Sequence, residues 1–197
     1  EALAKAVRDD IHYKLPEHIM KGASGTYFSG KMLAKLGRII VLASELKDLA
    51  DGGDTVRSVY DEDAVITETI KAAQNETLPT ESEMSDALLR LQSGVEIWLN
   101  GTALSPFTYD TKWGGLVNCG CTFDDETKTC INKYPDCPAY SDPDWNFGNA
   151  YYNDHHFHYG YHIYAAAVVA KFNPQWGRQF FHHVLVLIRD IANPSTD

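Results

Sequence analysis

The residues most capable of chemistry lie in one string, Asn149–His162, which reads Asn-Ala-Tyr-Tyr-Asn-Asp-His-His-Phe-His-Tyr-Gly-Tyr-His. Asp154, set among imidazoles and aromatic rings, could act as a general acid or base. Alternatively, Asn153 or Asp154 could cap a helix that begins at this point. A third interpretation is a zinc site, because Asp154, His158 and His162 follow one another at i, i+4 spacing. However, no Glu follows His158 as it does in the zinc motif H-E-x-x-H.

An aspartate at a helix start is subject to two opposed effects. The helix N-terminus favours the charged carboxylate. A general acid must instead carry its proton, which requires burial or a second carboxylate nearby. The acid interpretation of Asp154 therefore predicts a desolvated position or a carboxylate partner.

A second cluster of polar and aromatic residues is Tyr109–Leu116, which reads Tyr-Asp-Thr-Lys-Trp-Gly-Gly-Leu. Its Gly pair permits close approach of the backbone to a ligand. Asp110 could contact a substrate, or it could pair with Lys112 in a purely structural role. Fourteen of the 23 Phe, Trp and Tyr residues lie between 107 and 164, mostly beside Gly, Asn, Asp and His. Such a surface suits sugar rings, although a small aromatic core beneath a long loop fits the composition equally well.

Composition excludes several classes of function. Seventeen Lys and Arg against 27 Asp and Glu give a net charge of −10, which argues against nucleic acid as a partner. The content of 44% hydrophobic and 22% charged residues is typical of a packed domain. The longest apolar runs, Ala165–Ala170 and Val184–Ile188, are too short to span a bilayer, so no membrane association is predicted. No cofactor is predicted either.

The cysteine pattern indicates an oxidising compartment. Four cysteines allow three disulfide pairings. A bond between Cys119 and Cys121 would strain so short a loop, which leaves the two pairings that join Cys119 and Cys121 to Cys130 and Cys137. A zinc knuckle is the alternative, but the CxxC pairs of such sites are missing. With the glycosylation sequons at Asn75 and Asn100, this pattern predicts a secreted glycoprotein.

These residues must be positioned mainly by helices. Apolar spacing predicts a single domain over 1–197 that is helical in 1–99, has a long cysteine-containing loop in 100–153 and ends in a helix pair in 154–192. Antiparallel pairs of such helices make an all-α layered or toroidal fold. The predicted helices are Glu1–Lys14, Tyr27–Asp48, Thr55–Gln74, Glu81–Leu99, Asp154–Phe172 and Pro174–Ala192.

The strings Thr111–Val117 and Phe147–Tyr161 closely resemble glycoside hydrolase family 81, the endo-β-1,3-glucanases or laminarinases. The resemblance implies inverting hydrolysis of internal β-1,3 bonds in laminarin or cell-wall glucan, on an (α/α)6 toroid. It also implies an extracellular or cell-wall location. By the match of the string, Asp154 takes the role of general acid. The implied substrate-binding residues are Asp110, Trp113, Tyr152, Asn153, His158 and Tyr161.

One departure from the family pattern limits what this chain can do by itself. The family's base is a glutamate in an Asn-Gln-Glu-Ser-Ser-Ser-Glu-like string, and these 197 residues contain no counterpart. The chain also opens at Glu1 rather than Met. Since six helices are predicted where the toroid of the family has twelve, we expect a fragment with about half of the toroid, inactive on its own. The missing part of the barrel is then a partner that covers apolar faces such as Val184–Ile188. The alternatives are a non-catalytic β-glucan-binding or elicitor-receptor protein and a metal-binding protein centred on His158 and His162.

Overall fold

The fold is all-α, as the sequence predicts. The computed structural model describes residues 2–50, 78–132 and 135–193, and within them the chain forms six α-helices and two two-stranded hairpins. The helices are α1 (Ala2–Asp10), α2 (Glu17–Met20), α3 (Thr26–Ala50), α4 (Glu81–Leu99), α5 (His155–Phe172) and α6 (Pro174–Ile191). The predicted helix Thr55–Gln74 and the sequon at Asn75 lie outside the described residues.

The segment between α4 and α5 has more regular structure than a loop. Antiparallel strands β1 (Phe107–Asp110) and β2 (Gly115–Asn118) form one hairpin. Strands β3 (Phe123–Asp124) and β4 (Thr129–Cys130) form a second. A short 3-10 helix follows at Pro138–Tyr140, and Trp145–Tyr151 contains 3-10 turns that are interrupted by left-handed backbone at 146–148. Strands of two to four residues carry too little alternation to be recognised in a sequence, which is why they were not predicted.

Local sequence explains where the long helices begin. At the start of α4, the Thr80 hydroxyl accepts a hydrogen bond from the Glu83 amide while the Glu83 carboxylate accepts one from the Thr80 amide, which is the predicted capping box. At the start of α6, the Asn173 side chain accepts a hydrogen bond from the Trp176 amide, and Pro174 occupies the first helical position.

Helices α3 and α5 lie in parallel at the centre of the packing. Thr26 contacts His158 at one end, Gly30 faces His162 in the middle, and Gly37 faces Val168 further along. A Cβ atom at Gly30 would lie 2.7 Å from the His162 ring. The glycine therefore lets the two helices approach closely at the level of the histidine string.

Helices α4 and α6 run antiparallel to this central pair. Gly94 of α4 packs against Leu33 of α3, and Leu91 packs one turn further along near Gly37. Gly177 of α6 likewise packs against Ala170 near the end of α5. The predicted antiparallel helix pairs are thus present. The core that they enclose contains Ile11, Leu33, Leu36, Ile40, Leu91, Val95, Trp98, Val169, Trp176 and Leu187.

Helix α6 is apolar on more than its buried face. Trp176, Phe180 and Leu187 are buried against the other helices, whereas Phe181 and Val186 are exposed. This distribution agrees with the apolar character of Val184–Ile188 noted in the sequence. Among the described helices, none is both long enough and apolar enough to cross a bilayer.

Candidate active site

Asp110 is the last residue of β1 and is partly buried, and Trp113 lies in the turn that follows it. One oxygen of the Asp110 carboxylate accepts hydrogen bonds from the backbone amides of Lys112 (2.8 Å) and Trp113 (3.4 Å). The contact with Lys112 is therefore made through its backbone and not through an ion pair. The turn leaves the Trp113 indole 74% exposed. The other Asp110 oxygen accepts a hydrogen bond from the Tyr152 hydroxyl at 3.3 Å.

These residues line a cleft of about 320 Å³. Its walls are Asp110, Trp113, Tyr140, Ala150, Tyr151 and Tyr152. Burial, the Asp110 charge and the hydrogen bond to Asp110 raise the pKa of Tyr152 to about 12, so its hydroxyl keeps its proton and donates to the carboxylate. The cleft combines exposed aromatic faces with oriented polar groups, which is the composition that a sugar site requires. It brings together three of the residues selected from the sequence.

The backbone between the cleft and α5 is strained. Four residues other than glycine have left-handed backbone conformations there: Asn146 (φ 50°), Phe147 (φ 57°), Tyr152 (φ 63°) and Asp154 (φ 56°). Each such residue costs about 1–3 kcal/mol and persists only where the surrounding structure enforces it. Strain of this kind is concentrated at functional sites, so its location is a second, independent indication of the site.

Asparagine side chains, two of them buried, hold this strained backbone in place. The Asn149 side-chain oxygen accepts the Asn118 amide at 2.7 Å, and its amide group donates to the Tyr159 hydroxyl at 3.2 Å. The Asn153 side chain donates to the carbonyl of Phe147 at 2.9 Å. Asn118 and Asn149 are fully buried. The asparagines of the string thus act as backbone supports.

Asp154 lies at the N-cap position of α5 but does not act as a cap. Its left-handed backbone turns the side chain away, and the carboxylate makes no hydrogen bond to the helix amides. Among the described residues, the donor that contacts this carboxylate is the Asn153 side-chain amide, at 3.2 Å. The side chain is partly buried. The carboxylate is therefore left available for a reaction, whereas a helix cap would have committed it to the backbone.

His158 and Tyr161 belong to an aromatic cluster one turn into α5. The rings of Phe147, His158 and Tyr161 all pack around Tyr27 of α3, with centroids 5.1–5.9 Å from it. His158 is buried, and its Nδ1 lies 2.7 Å from the Thr26 hydroxyl. Burial, aided by neighbouring His155, lowers the pKa of His158 to about 4, so the ring is neutral at pH 7. His158 is the buried member of this aromatic cluster and supports the other rings, while Tyr161 is partly exposed.

A buried ion pair fixes the start of α5 to the rest of the site. Asp190 of α6 accepts hydrogen bonds from His155 Nδ1 (2.6 Å) and from the Leu116 amide of β2 (2.7 Å). His155 Nε2 faces the Asn149 carbonyl at 2.8 Å. Both ring nitrogens of His155 therefore lie within hydrogen-bond distance of oxygen atoms. This pair joins three elements immediately beside Asp154.

Comparison with models of known protein families shows which family this chain belongs to. The model of the glycosyl hydrolase family 81 C-terminal domain matches residues 1–197. The chain belongs to glycosyl hydrolase family 81. The resemblance found in the two sequence strings is confirmed.

Proteins similar to this chain come from a yeast, a plant and a bacterium. The chain is 28% identical to the primary septum glucan endo-1,3-beta-D-glucosidase of Schizosaccharomyces pombe, over 98% of this chain and 17% of that protein. It is 27% identical to a glucan endo-1,3-beta-D-glucosidase of Glycine max, over 98% of this chain and 23% of that protein. A protein of the same name from Thermobifida fusca is 27% identical over 90% of this chain and 17% of its own length. The chain thus spans about a fifth of the length of these relatives.

Two disulfides close the segment that follows β2 in this family 81 domain. Cys119 is bonded to Cys137 and Cys121 to Cys130, which is one of the two favoured pairings. All four thiols are consumed, so the zinc-knuckle alternative is wrong. Within the described parts of the chain, no group of three or more His, Cys, Asp or Glu side chains is arranged to hold a metal ion.

Several residues of the site were not selected from the sequence. The sequence predicts Tyr27 as the start of a helix and Asp190 as part of the helix Pro174–Ala192, and it assigns no role to Thr26, Tyr27 or Asp190 in the site. Tyr140 belongs only to the aromatic composition, and Tyr151 lies within the string Asn149–His162 without an assigned role. Asp190 lies two residues beyond the apolar run Val184–Ile188, and its partner His155 lies 35 residues away in the chain, so no local pattern indicates their contact.

Proposed function

We propose that this family 81 domain takes part in the hydrolysis of internal β-1,3-glucosidic bonds of β-glucan, with Asp154 as the general acid. The names of its relatives support this reaction class. The observation that carries the assignment is the Asp154 carboxylate, which is held at the N-cap position of α5 without capping the helix.

The proposed reaction is a single displacement with inversion. Asp154 gives its proton to the bridging oxygen as the bond between that oxygen and the anomeric carbon breaks, so the leaving chain departs as an alcohol. A water molecule attacks the anomeric carbon from the opposite face and loses a proton to a second carboxylate, about 6.5–9.5 Å from the first in inverting enzymes. We assign that base to a glutamate outside these 197 residues.

The cleft supplies the proposed sugar contacts. Trp113 offers an exposed face for the C–H surface of a glucose ring. The Asp110 carboxylate can accept hydrogen bonds from the sugar hydroxyls, and the Tyr152 hydroxyl can accept or donate one. Asn153, His158, Tyr161 and Asp154 do not line this cleft. We assign Asn153 and Tyr161 to sugar contacts nearer Asp154, and His158 to support of the aromatic cluster around Tyr27. A neutral polysaccharide does not conflict with the net charge of −10, since it carries no anionic groups to be repelled.

Substitution of the acid tests the proposal. Asp154→Asn in the natural protein that contains this domain should reduce the release of reducing sugar from laminarin by about 10²–10⁴-fold, the usual contribution of general acid catalysis. Laminarin binding should persist because the amide keeps the shape of the side chain. Asp86→Asn, at an exposed position on α4, is the matched control and should be fully active.

Two outcomes would overturn parts of this assignment. Full activity of the Asp154→Asn protein would remove Asp154 from the acid role. Laminarin binding without any hydrolysis by the unsubstituted natural protein would instead favour a glucan-binding or receptor function. The anomeric configuration of the first-formed product, followed by proton NMR, tests inversion separately.

We also propose that the protein is secreted and acts on cell-wall glucan. The two disulfides are typical of an oxidising compartment. The Asn100 side chain of the second sequon is exposed at the end of α4, where an attached glycan would meet solvent. A fall in the mass of the secreted protein on endoglycosidase treatment would show that it is glycosylated.

A further inference from the structure

One aromatic side chain of the cleft, Tyr140, lies outside the two sequence strings that resemble family 81. Tyr140 closes the 3-10 helix Pro138–Tyr140, is 46% exposed and lines the cleft beside Trp113 and Tyr151. The Tyr151 hydroxyl donates a hydrogen bond to the Tyr140 carbonyl at 2.8 Å, which ties the two segments together. Three exposed rings therefore surround one cleft, although the sequence strings supply only two of them.

The segment that carries Tyr140 is held by a disulfide. Cys137 directly precedes this 3-10 helix and is bonded to Cys119, one residue beyond the end of β2. The Ala139 amide donates to the Cys119 carbonyl at 3.3 Å, and the Ala139 side chain is buried. A three-residue 3-10 helix has little stability of its own. The bond to Cys119 therefore holds Tyr140 against the same strand whose turn carries Trp113.

We propose that Tyr140 is a further glucan-binding residue and that the Cys119–Cys137 disulfide is its positioning element. The proposal rests on the proposed glucan function and adds a sugar contact to the same cleft. The Tyr140 ring offers a face for stacking, and its hydroxyl can hydrogen-bond to a sugar hydroxyl. Burial and the nearby Asp110 charge raise the pKa of Tyr140, which keeps that hydroxyl protonated.

The second disulfide provides a control within the same loop. Cys121–Cys130 closes the hairpin of β3 and β4, which lies against α2 through the ion pair of Lys128 with Glu17. This hairpin contributes no residue to the cleft wall. Opening Cys121–Cys130 removes one covalent link, as opening Cys119–Cys137 does, but should leave Tyr140 in place.

Glucan affinity of single variants tests the role of Tyr140. In the natural protein, affinity electrophoresis through gels that contain laminarin should show Tyr140→Ala binding about tenfold more weakly, which is the loss expected for one aromatic contact. Tyr140→Phe keeps the ring and should retain most of the affinity. Phe181→Ala, at an exposed aromatic outside the cleft, should bind as the unsubstituted protein does. Equal affinity of Tyr140→Ala and Phe181→Ala would overturn the proposal.

A pair of double variants tests the role of the disulfide. Cys119→Ser with Cys137→Ser should weaken laminarin binding about as much as Tyr140→Ala, whereas Cys121→Ser with Cys130→Ser should not. Laminarin binding is measured for each double variant that circular dichroism shows to be folded. If the first double variant does not fold, Tyr140→Ala inserted into the second background decides whether the ring is needed. Affinity retained in the first variant, when folded, would refute the positioning role.

The proposed function and this inference fail in different ways. If the unsubstituted protein does not bind laminarin, the proposed function is wrong and the inference is wrong with it. If the unsubstituted protein binds laminarin and Tyr140→Ala binds equally well, only the inference is wrong.

Discussion

The buried pair of Asp190 and His155 gives a sharp test of how the site is held together. The side chains are 3% and 8% exposed, respectively, and the carboxylate accepts two hydrogen bonds, from His155 and from the Leu116 amide. Asp190→Ala would remove both acceptors at once. It would leave His155 Nδ1 and the Leu116 amide of β2 without the acceptor that they contact in the unsubstituted protein.

The expected magnitude follows from these contacts. Breaking a buried ion pair by removing one partner costs about 3–5 kcal/mol. Asp190→Asn should cost less, about 1–2 kcal/mol, because its oxygen can accept from Leu116 and its amide can donate to a neutral His155 ring. In that arrangement His155 Nε2 still donates to the Asn149 carbonyl, so every hydrogen bond survives and only the charge is lost.

Urea denaturation of the two variants measures the difference. The free energy of unfolding should fall in the order unsubstituted, Asp190→Asn, Asp190→Ala. Glu81→Gln, which breaks the surface ion pair with Lys47 at an 89% exposed side chain, is the control and should leave the free energy within measurement error. A loss below about 1 kcal/mol for Asp190→Ala would refute the reasoning. Equal losses for both Asp190 variants would show that the charge matters and the hydrogen-bond geometry does not.

Two further predictions concern the contact between α3 and α5. Burial lowers the pKa values of His158 and His162 from 6.5 to about 4, so the unfolded state binds more protons between these values. The free energy of unfolding should then fall by about 1.4 kcal/mol per pH unit for each histidine as the pH drops from 6.5 towards 5. Urea titrations at several pH values should show half of the combined slope in His162→Gln, because one of the two histidines is gone. An unchanged slope in this variant would contradict the assignment. Gly30→Ala should destabilise by about 1–3 kcal/mol against the His162 ring, whereas Gly160→Ala should stabilise by about 0.5–1 kcal/mol in open space. Thermal melts measure the change in melting temperature of each variant. Changes of the same sign would refute the close contact of Gly30 with the His162 ring.

The helices were predictable because their signals are local. The capping box at Thr80, the proline at the start of α6 and the apolar spacing of α3 each act within a few residues of the chain. The segment after α4 was harder to predict. Its strands are too short for a recognisable period, and its turn conformations depend on asparagine side chains that bond across the structure.

The candidate site was predictable in residue types and not in arrangement. Asp110 and Tyr152 were both selected from the sequence, but their contact joins residues 42 positions apart. The contact between Thr26 and His158 spans 132 residues and was not predicted. Such contacts depend on how complete elements pack together, and no local pattern encodes them.

The all-α class, the family, the string that contains Asp154 and the two possible disulfide pairings can all be inferred from local patterns of residues. The tertiary structure decided between those pairings, left the Asp154 carboxylate free of the helix cap and placed Tyr140 beside Trp113. The physical reason is the range of the interactions. Helix periodicity and caps are satisfied within a few residues, whereas a cleft exists only when distant segments are packed against a common core.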